Sequence, residues 1–467
     1  MIKYCFWVFP IILSACMTPL PDMSIERWSD TIIAQERKNY IAPKHVDPSR
    51  HQFTFNEAIQ RAVAISSELR NSEYALALAE LDVEQAKSEI WPRLSIDGFY
   101  EIPLDDDSSA ENSFDGGIRI SYDLTKALFR RDLMTAASVK RQMALTQARF
   151  IYSQLYARTL NQVAELNVLK SKIQVLNHTL EALYKEKEAI QSVAGIKGWP
   201  TSGNLQLDAE IRNHERLKRV ALSRSRYLSQ DLKQTLAVES ENELMITDID
   251  NVLSALTSRY SVQESFSNQL SQALQQRPDI RLAVLDIMLS VLNLRKAEIE
   301  RWPRIGMSLG YGDYDLRTSE EDVDAVGTIS VSIPVFDFGD IRRKHQAAWI
   351  NEQRAREEFR SLSRRAGNDL RAAVAEAGIA RTDYEDAVQW SEKSLERMRQ
   401  IESLYKSNRI EHSDRFQAII AAAGTELDML EAKLRWYNAA IALAVARADE
   451  LTIFQDTYRS ETTSPAN

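Results

Sequence analysis

Apolar residues recur every three or four positions through long stretches of the chain, and every second position in four short ones. The first spacing marks a helix with one buried stripe, the second a strand with one buried face. Leu155, Leu166, Leu169, Ile173, Leu176, Leu180 and Leu183 carry the helical spacing. Lys126 to Gly195 holds no proline and is rich in good helix formers, so as one helix it would run about 105 Å. That is too long for a globular domain and suits a coiled coil. Helices are also predicted over Asn204–Val238 and Phe55–Trp91, at about 52 and 55 Å, which end to end match the long one. A second set is predicted over 268–302, 337–407 and 414–450.

Between the helices the period drops to two. Strands are predicted over 93–104, 117–125, 304–314 and 327–336, with a polar loop inside each pair. Leu94, Ile96, Gly98 and Tyr100 alternate with Ser95, Asp97, Phe99 and Glu101. Ile118, Ile120, Tyr122 and Leu124 alternate with Arg119, Ser121 and Asp123. Ile305, Met307, Leu309 and Tyr311 alternate with small residues, and Ile329, Val331, Ile333 and Val335 alternate with Ser330, Ser332 and Pro334. Strands of about ten residues with one apolar face have the length and alternation of membrane β-strands. Two surface hairpins with one buried face are the other reading of the same pattern.

The two sets are copies. Residues 62–93 lie over 273–304 at a shift of 211 without a gap, and nine of the 32 positions are identical, Trp91-Pro92-Arg93 over Trp302-Pro303-Arg304 among them. Chance would give about two. The same shift sets Ser121 on Ser332, Ser202 on Ser413 and Gln206 on Gln417. The period is too long for a solenoid. The predicted organisation is a signal segment over 1–15, an N-terminal extension over 16–54, a first repeat over 55–240, an inter-repeat segment over 241–265, a second repeat over 266–451 and a tail over 452–467.

The start of the chain supplies an address. Lys3, an apolar run from Tyr4 to Leu13 and then Leu13-Ser14-Ala15-Cys16 describe a bacterial export signal ending in a cysteine. Leu-Ser-Ala-Cys resembles a bacterial lipobox, which implies lipid on Cys16 and Cys16 as first mature residue; Met17 rather than Asp at the next position favours the outer membrane. Cys5 and Cys16 are the only cysteines, so the mature chain is expected to hold no disulfide and no thiol chemistry. The net charge of −9 is spread evenly and points to no nucleic acid partner. The six histidines show no metal-ligand spacing, no nucleophile–base set stands out, and neither enzyme activity nor a cofactor is expected.

An outer-membrane address turns the amphipathic strands towards lipid. Ile118, Ile120, Tyr122, Ile329, Val331 and Ile333 are then expected to face lipid, and Arg119, Ser121, Ser330 and Ser332 a lumen. Four strands cannot close a barrel, and an open edge in lipid leaves backbone groups unsatisfied. Several chains must pool their strands about a cyclic axis, though the sequence alone does not fix how many.

With these features the chain resembles the TolC-type outer-membrane factors. The likeness covers nearly everything after residue 50. It rests on the duplicated helix–strand–loop–strand–helix unit, the Trp-Pro-Arg strand entries and Ser332-Ile333-Pro334-Val335-Phe336-Asp337-Phe338-Gly339, similar to the family's "S-x-P-L-F-D-x-G". Leu404-Tyr405-Lys406-Ser407-Asn408 resembles its "Y-x-x-G" near the helix tip, with Asn in place of Gly. The resemblance implies a mainly α chain with a membrane β part: a homotrimer with a 12-stranded barrel in the outer membrane of a Gram-negative bacterium, continued by a coiled-coil tunnel across the periplasm. It also implies docking on an inner-membrane transporter through a periplasmic adaptor. Counting from Tyr405, Asp414 and Gln417 match positions that line the family's periplasmic aperture. Asp414 also reads as an ordinary helix-start carboxylate.

The function expected is an export channel, small-molecule efflux before type I protein secretion. A structural coiled-coil envelope lipoprotein is the alternative, and it has no need of four apolar-faced strands.

Overall fold

A computed structural model describes residues 50–101, 113–197, 201–239, 243–259, 265–313, 324–334, 336–407 and 409–448. The signal segment, Cys16, Trp199, Val335, Asn408 and the tail over 452–467 lie outside them.

The chain is mainly helical. In order it runs β1 (Gln52–Phe53), α1 (Phe55–Ile65), α2 (Ser67–Ser88), β2 (Arg93–Glu101), β3 (Ser113–Asp123), α3 (Leu124–Leu128), α4 (Arg130–Lys197) and α5 (Thr201–Thr235). Then come β4 (Met245–Ile246), α6 (Ile249–Arg259), α7 (Phe266–Gln276), α8 (Pro278–Ile299), β5 (Arg304–Asp313), β6 (Asp324–Ser332), α9 (Asp340–Lys406) and α10 (His412–Arg447). The long helices α4 and α9 have 68 and 67 residues, which at 1.5 Å per residue is about 100 Å each. Each long helix is flanked by two shorter ones: α4 packs on α2 and α5, and α9 on α8 and α10. Helices α8 and α10 also pack on α4, which joins the copies.

The shorter flanking helices correct the sequence reading. Phe55–Trp91 and 268–302 are each two helices, broken at Ser66 (ψ 116°) and Arg277 (ψ 125°). These two residues are equivalent under the 211 shift. At Arg277 the following proline disfavours helical backbone. At Ser66 the side chain instead caps the next helix by accepting from the Leu69 N–H. Helix α10 starts two residues before the expected 414 and ends at Arg447, where the φ of +58° at Ala448 turns the chain out of the helix.

Strands β2, β3, β5 and β6 form one antiparallel sheet in that order. The return strands begin earlier and end earlier than expected. Ser113–Gly117, read as polar loop, pairs with β2 as far as Ser113 opposite Glu101; the backbone ladder is satisfied whatever the side chains. Strand β3 stops at Asp123 because its carboxylate caps the Lys126 N–H and starts α3, so Leu124 is helical. Strand β6 stops at Ser332, so Ile333 lies just past the strand, and Pro334 has no N–H to give a ladder.

Half-way along the helices sits a belt, to which the inter-repeat segment, expected at an equatorial position, contributes Met245–Ile246 and Ile249–Arg259. Strands β1 and β4 pair in parallel. Thr54 and Glu57 form a capping box on α1, and the Phe55 N–H donates to Asp248 at 2.6 Å. Arg61 donates to the carbonyls of Leu236 (2.5 Å) and Ala237 (3.1 Å), closing the C-terminal end of α5. Phe53, Phe55, Ile59, Leu160, Leu232, Leu253, Leu370, Trp436 and Ile441 share one buried core here, drawn from both copies. Burial and the nearby Asp250 charge push the Tyr437 phenol in this core up to about 12.

Candidate functional site

The strand wall is the first element of the site. Cross-strand pairs Leu94–Ile120, Ile96–Ile118, Ile120–Leu309, Tyr122–Met307, Met307–Ile329 and Ile305–Val331 fall on one face. Because successive side chains alternate, Ser95, Asp97, Arg119, Ser121, Ser308, Ser330 and Ser332 fall on the other. The apolar face is uncovered: Ile96 is 84% and Ile329 74% exposed. The division matches the alternation of the sequence, with Ile118, Ile120, Tyr122, Ile329 and Val331 together and Arg119, Ser121, Ser330 and Ser332 opposite. On the polar face Arg119 pairs with Asp97 at 3.1 Å.

Large aromatics collect where strand meets helix. Trp91, Trp302, Phe336 and Phe338 are all more than half exposed. Phe336 and Phe338 pack edge-on at 4.7 Å, and Trp302 packs edge-on with Phe129 at 6.2 Å. The exit turn is built by Asp337, which accepts from the N–H groups of Gly339 (2.9 Å) and Ile341 (2.7 Å). Those bonds hold its carboxyl below the usual range. Gly339 takes φ +79°, a backbone region that side chains disfavour.

The far tip is the second element. Asp414 and Gln417 both lie exposed near the start of α10, one turn apart, and Glu411 holds the cap position. Beside them is a network that the sequence reading missed. The Glu186 side chain of α4 is fully buried. It accepts from Arg415 at 2.5 Å and lies 2.5 Å from the His412 ring. Arg415 also donates to Glu402 at 2.7 Å and stacks over the Tyr405 ring at 4.5 Å. The Tyr405 hydroxyl lies 3.1 Å from His412. Burial works against the Arg415 charge, but the Glu402 hydrogen bond and the Glu186 charge outweigh it and raise its pKa. Burial, then the Glu186 charge, raises the Tyr405 phenol.

Glu186 could have been noticed. It falls between Leu183 and Ile190 on the apolar stripe, both buried in the tip core with Leu180, Leu207 and Phe416. A carboxylate at such a position needs a cation. The network ties the end of α9 and the start of α10 to α4.

Residues 269–448 match the family model described as outer membrane efflux protein. No curated protein matches the sequence. Among solved structures the chain is similar to the Campylobacter jejuni CmeC outer membrane channel, at 14% identity over 84% of this chain and 85% of that one, TM-score 0.68. It is similar to the open-state Neisseria gonorrhoeae MtrE outer membrane channel, at 17% identity over 84% and 88%, TM-score 0.68. It is also similar to VceC from Vibrio cholerae, an outer membrane protein, at 15% identity over 84% and 95%, TM-score 0.69. Residues 269–448 thus carry an outer membrane efflux protein domain, and the fold of the chain is that of these outer membrane channels.

Proposed function

We propose, from the outer membrane efflux protein domain over 269–448, that this chain is one subunit of a trimeric outer-membrane conduit that exports small molecules. The observation that carries the reading is the sheet. It has one apolar face, one polar face and two edge strands, β2 and β6, each paired on one side only among the described strands. Such edges are intolerable in lipid and are satisfied if β6 of one chain pairs with β2 of the next. Three chains then give twelve strands, with Ile118, Ile120, Tyr122, Ile329 and Val331 towards lipid and Arg119, Ser121, Ser330 and Ser332 towards the lumen. The helices of about 100 Å continue this barrel as a periplasmic tunnel.

The exposed aromatics at the strand entries suit the interfacial girdle of such a barrel. Lipid on Cys16 adds a second anchor. The tip network is read as the lock of the periplasmic aperture, with Asp414 and Gln417 on its rim, and a periplasmic adaptor and inner-membrane transporter as the partners that release it.

Purified protein tested for trimer mass in detergent and for conductance in a planar bilayer decides the reading. Trimers that conduct support it. Monomers, or trimers without conductance, point to a coiled-coil spacer instead.

A further inference from the structure

The polar face of the sheet has an unbalanced charge at its helix-proximal end. Arg93 opens β2 and Arg304 opens β5, and they are equivalent under the 211 shift. Each stands opposite a serine: Arg93 across from Ser121, Arg304 across from Ser332. Those two serines are equivalent under the same shift. Arg93, Arg304, Ser121, Ser308, Ser330 and Ser332 line one groove of about 430 Å³ on this face.

The other charges around the groove are already engaged. Arg119 is held by Asp97 at 3.1 Å. Lys126 is held by Glu89 at 3.3 Å, a carboxylate whose charge Arg93 also feels. Asp123 spends its carboxylate on the Lys126 N–H. Arg93 and Arg304 are exposed, and neither forms a salt bridge with any described residue. A guanidinium beside hydroxyl donors is the group that recognises oxyanions, because its planar fork meets two oxygens at once.

We propose that Arg93 and Arg304 form an oxyanion-binding ring on the lumen face at the base of the barrel, which favours substrates bearing carboxylate, phosphate or sulfate groups. The proposal rests on the trimeric conduit reading. In that assembly each chain contributes two guanidinia, and the ring repeats sixfold. Strand spacing and tilt give a twelve-stranded barrel a backbone diameter of about 24 Å. An arginine reaching ~6 Å inwards brings its charge within one Debye length of the axis, ~8 Å at physiological salt. Ions passing anywhere in the lumen would therefore sense the ring.

The test uses the full-length trimer in a planar bilayer. Reversal potential is measured in a KCl gradient, and block is measured with tripolyphosphate or citrate added on the barrel side. The wild type is expected to be blocked by both polyanions added on that side. The double variant Arg93→Gln, Arg304→Gln should shift selectivity towards potassium and weaken block by about tenfold or more, the size expected for losing charge-assisted hydrogen bonds. A double variant with unchanged conductance, selectivity and block overturns the ring and leaves the conduit standing. Absence of conductance in the wild type overturns both. Arg93→Lys, Arg304→Lys keeps the charge and loses the fork; it should keep the wild-type selectivity and lose part of the citrate block. Equal behaviour of Lys and Gln variants would also count against the ring.

Discussion

The buried carboxylate of Glu186 lies 2.5 Å from the guanidinium of Arg415, across 229 residues of sequence. One belongs to the first copy of the duplicated unit and the other to the second, so this ion pair fastens the two halves together at the tip. Removing the cation leaves a fully buried charge, a loss of about 3 kcal/mol or more. Arg415→Ala should therefore loosen the tip alone. Hydrogen exchange should rise over 180–190 and 402–420 and stay unchanged in the belt around Trp436. In a bilayer the variant should conduct more than the wild type. Protection at the tip equal to wild type would show that the pair holds nothing.

The face assignment of the strands makes a sharp contrast between neighbours. Val331→Arg puts a charge on the apolar face and should weaken assembly by about 2–4 kcal/mol if the site lies near the bilayer midplane. Ser332→Arg puts the same charge on the polar face and should alter conductance with little loss of trimer. Trimer yield in detergent measures both, and equal defects would mean that the register is wrong.

Asp414 is exposed on the first turn of α10. Three such carboxylates near one axis would attract cations at a constriction. Asp414→Ala is expected to relieve block by divalent or trivalent cations added on the tip side and to leave the trimer intact. Gln417→Asp should strengthen that block. Unchanged block in both variants would make Asp414 a surface charge at a helix start.

Asp337 supplies a pH dependence with a definite sign. Its folded pKa is lowered by the N–H groups of Ile341 and Gly339. Its contribution to stability is complete above the ordinary carboxylate pKa, about 3.9, and is lost as pH falls through the lower folded value. Asp337→Asn should thus lower the thermal midpoint at neutral pH, with the gap to wild type closing as the medium is acidified below pH 4. A gap that stays constant down to pH 2 would show that the turn does not depend on the charge.

Cys16 carries the anchoring prediction. Metabolic labelling with palmitate should mark the wild type and not Cys16→Ser, and the mature N-terminus should be Cys16. Labelling that persists in the variant would end the lipoprotein reading. Loss of activity is not required, since a trimeric barrel would be its own anchor.

The strand faces and long helices were legible in the sequence because each depends on one short period, two or 3.6 residues, that survives any detail of packing. The helix break at Ser66 was hidden. Nothing in Ser66-Ser67-Glu68 forbids helix, and only the side-chain cap to Leu69 reveals the break. The pairing of β1 with β4 was hidden for a different reason: two-residue strands have no period. At the tip, Tyr405 and Asp414 were singled out by resemblance alone. The partners of Glu186 were not, because a buried carboxylate announces that it needs a cation without saying which of many arginines folds back to it.

The duplication is not kept equally along the molecule. At the strand entries both copies retain arginine, at 93 and 304. At the tip the counterparts of His412 and Arg415 are Thr201 and Asn204, and Glu186 falls over Arg397. In a trimer the wall would therefore repeat six times at one end and three times at the other. Any partner docking at that end would meet two unlike seams in alternation.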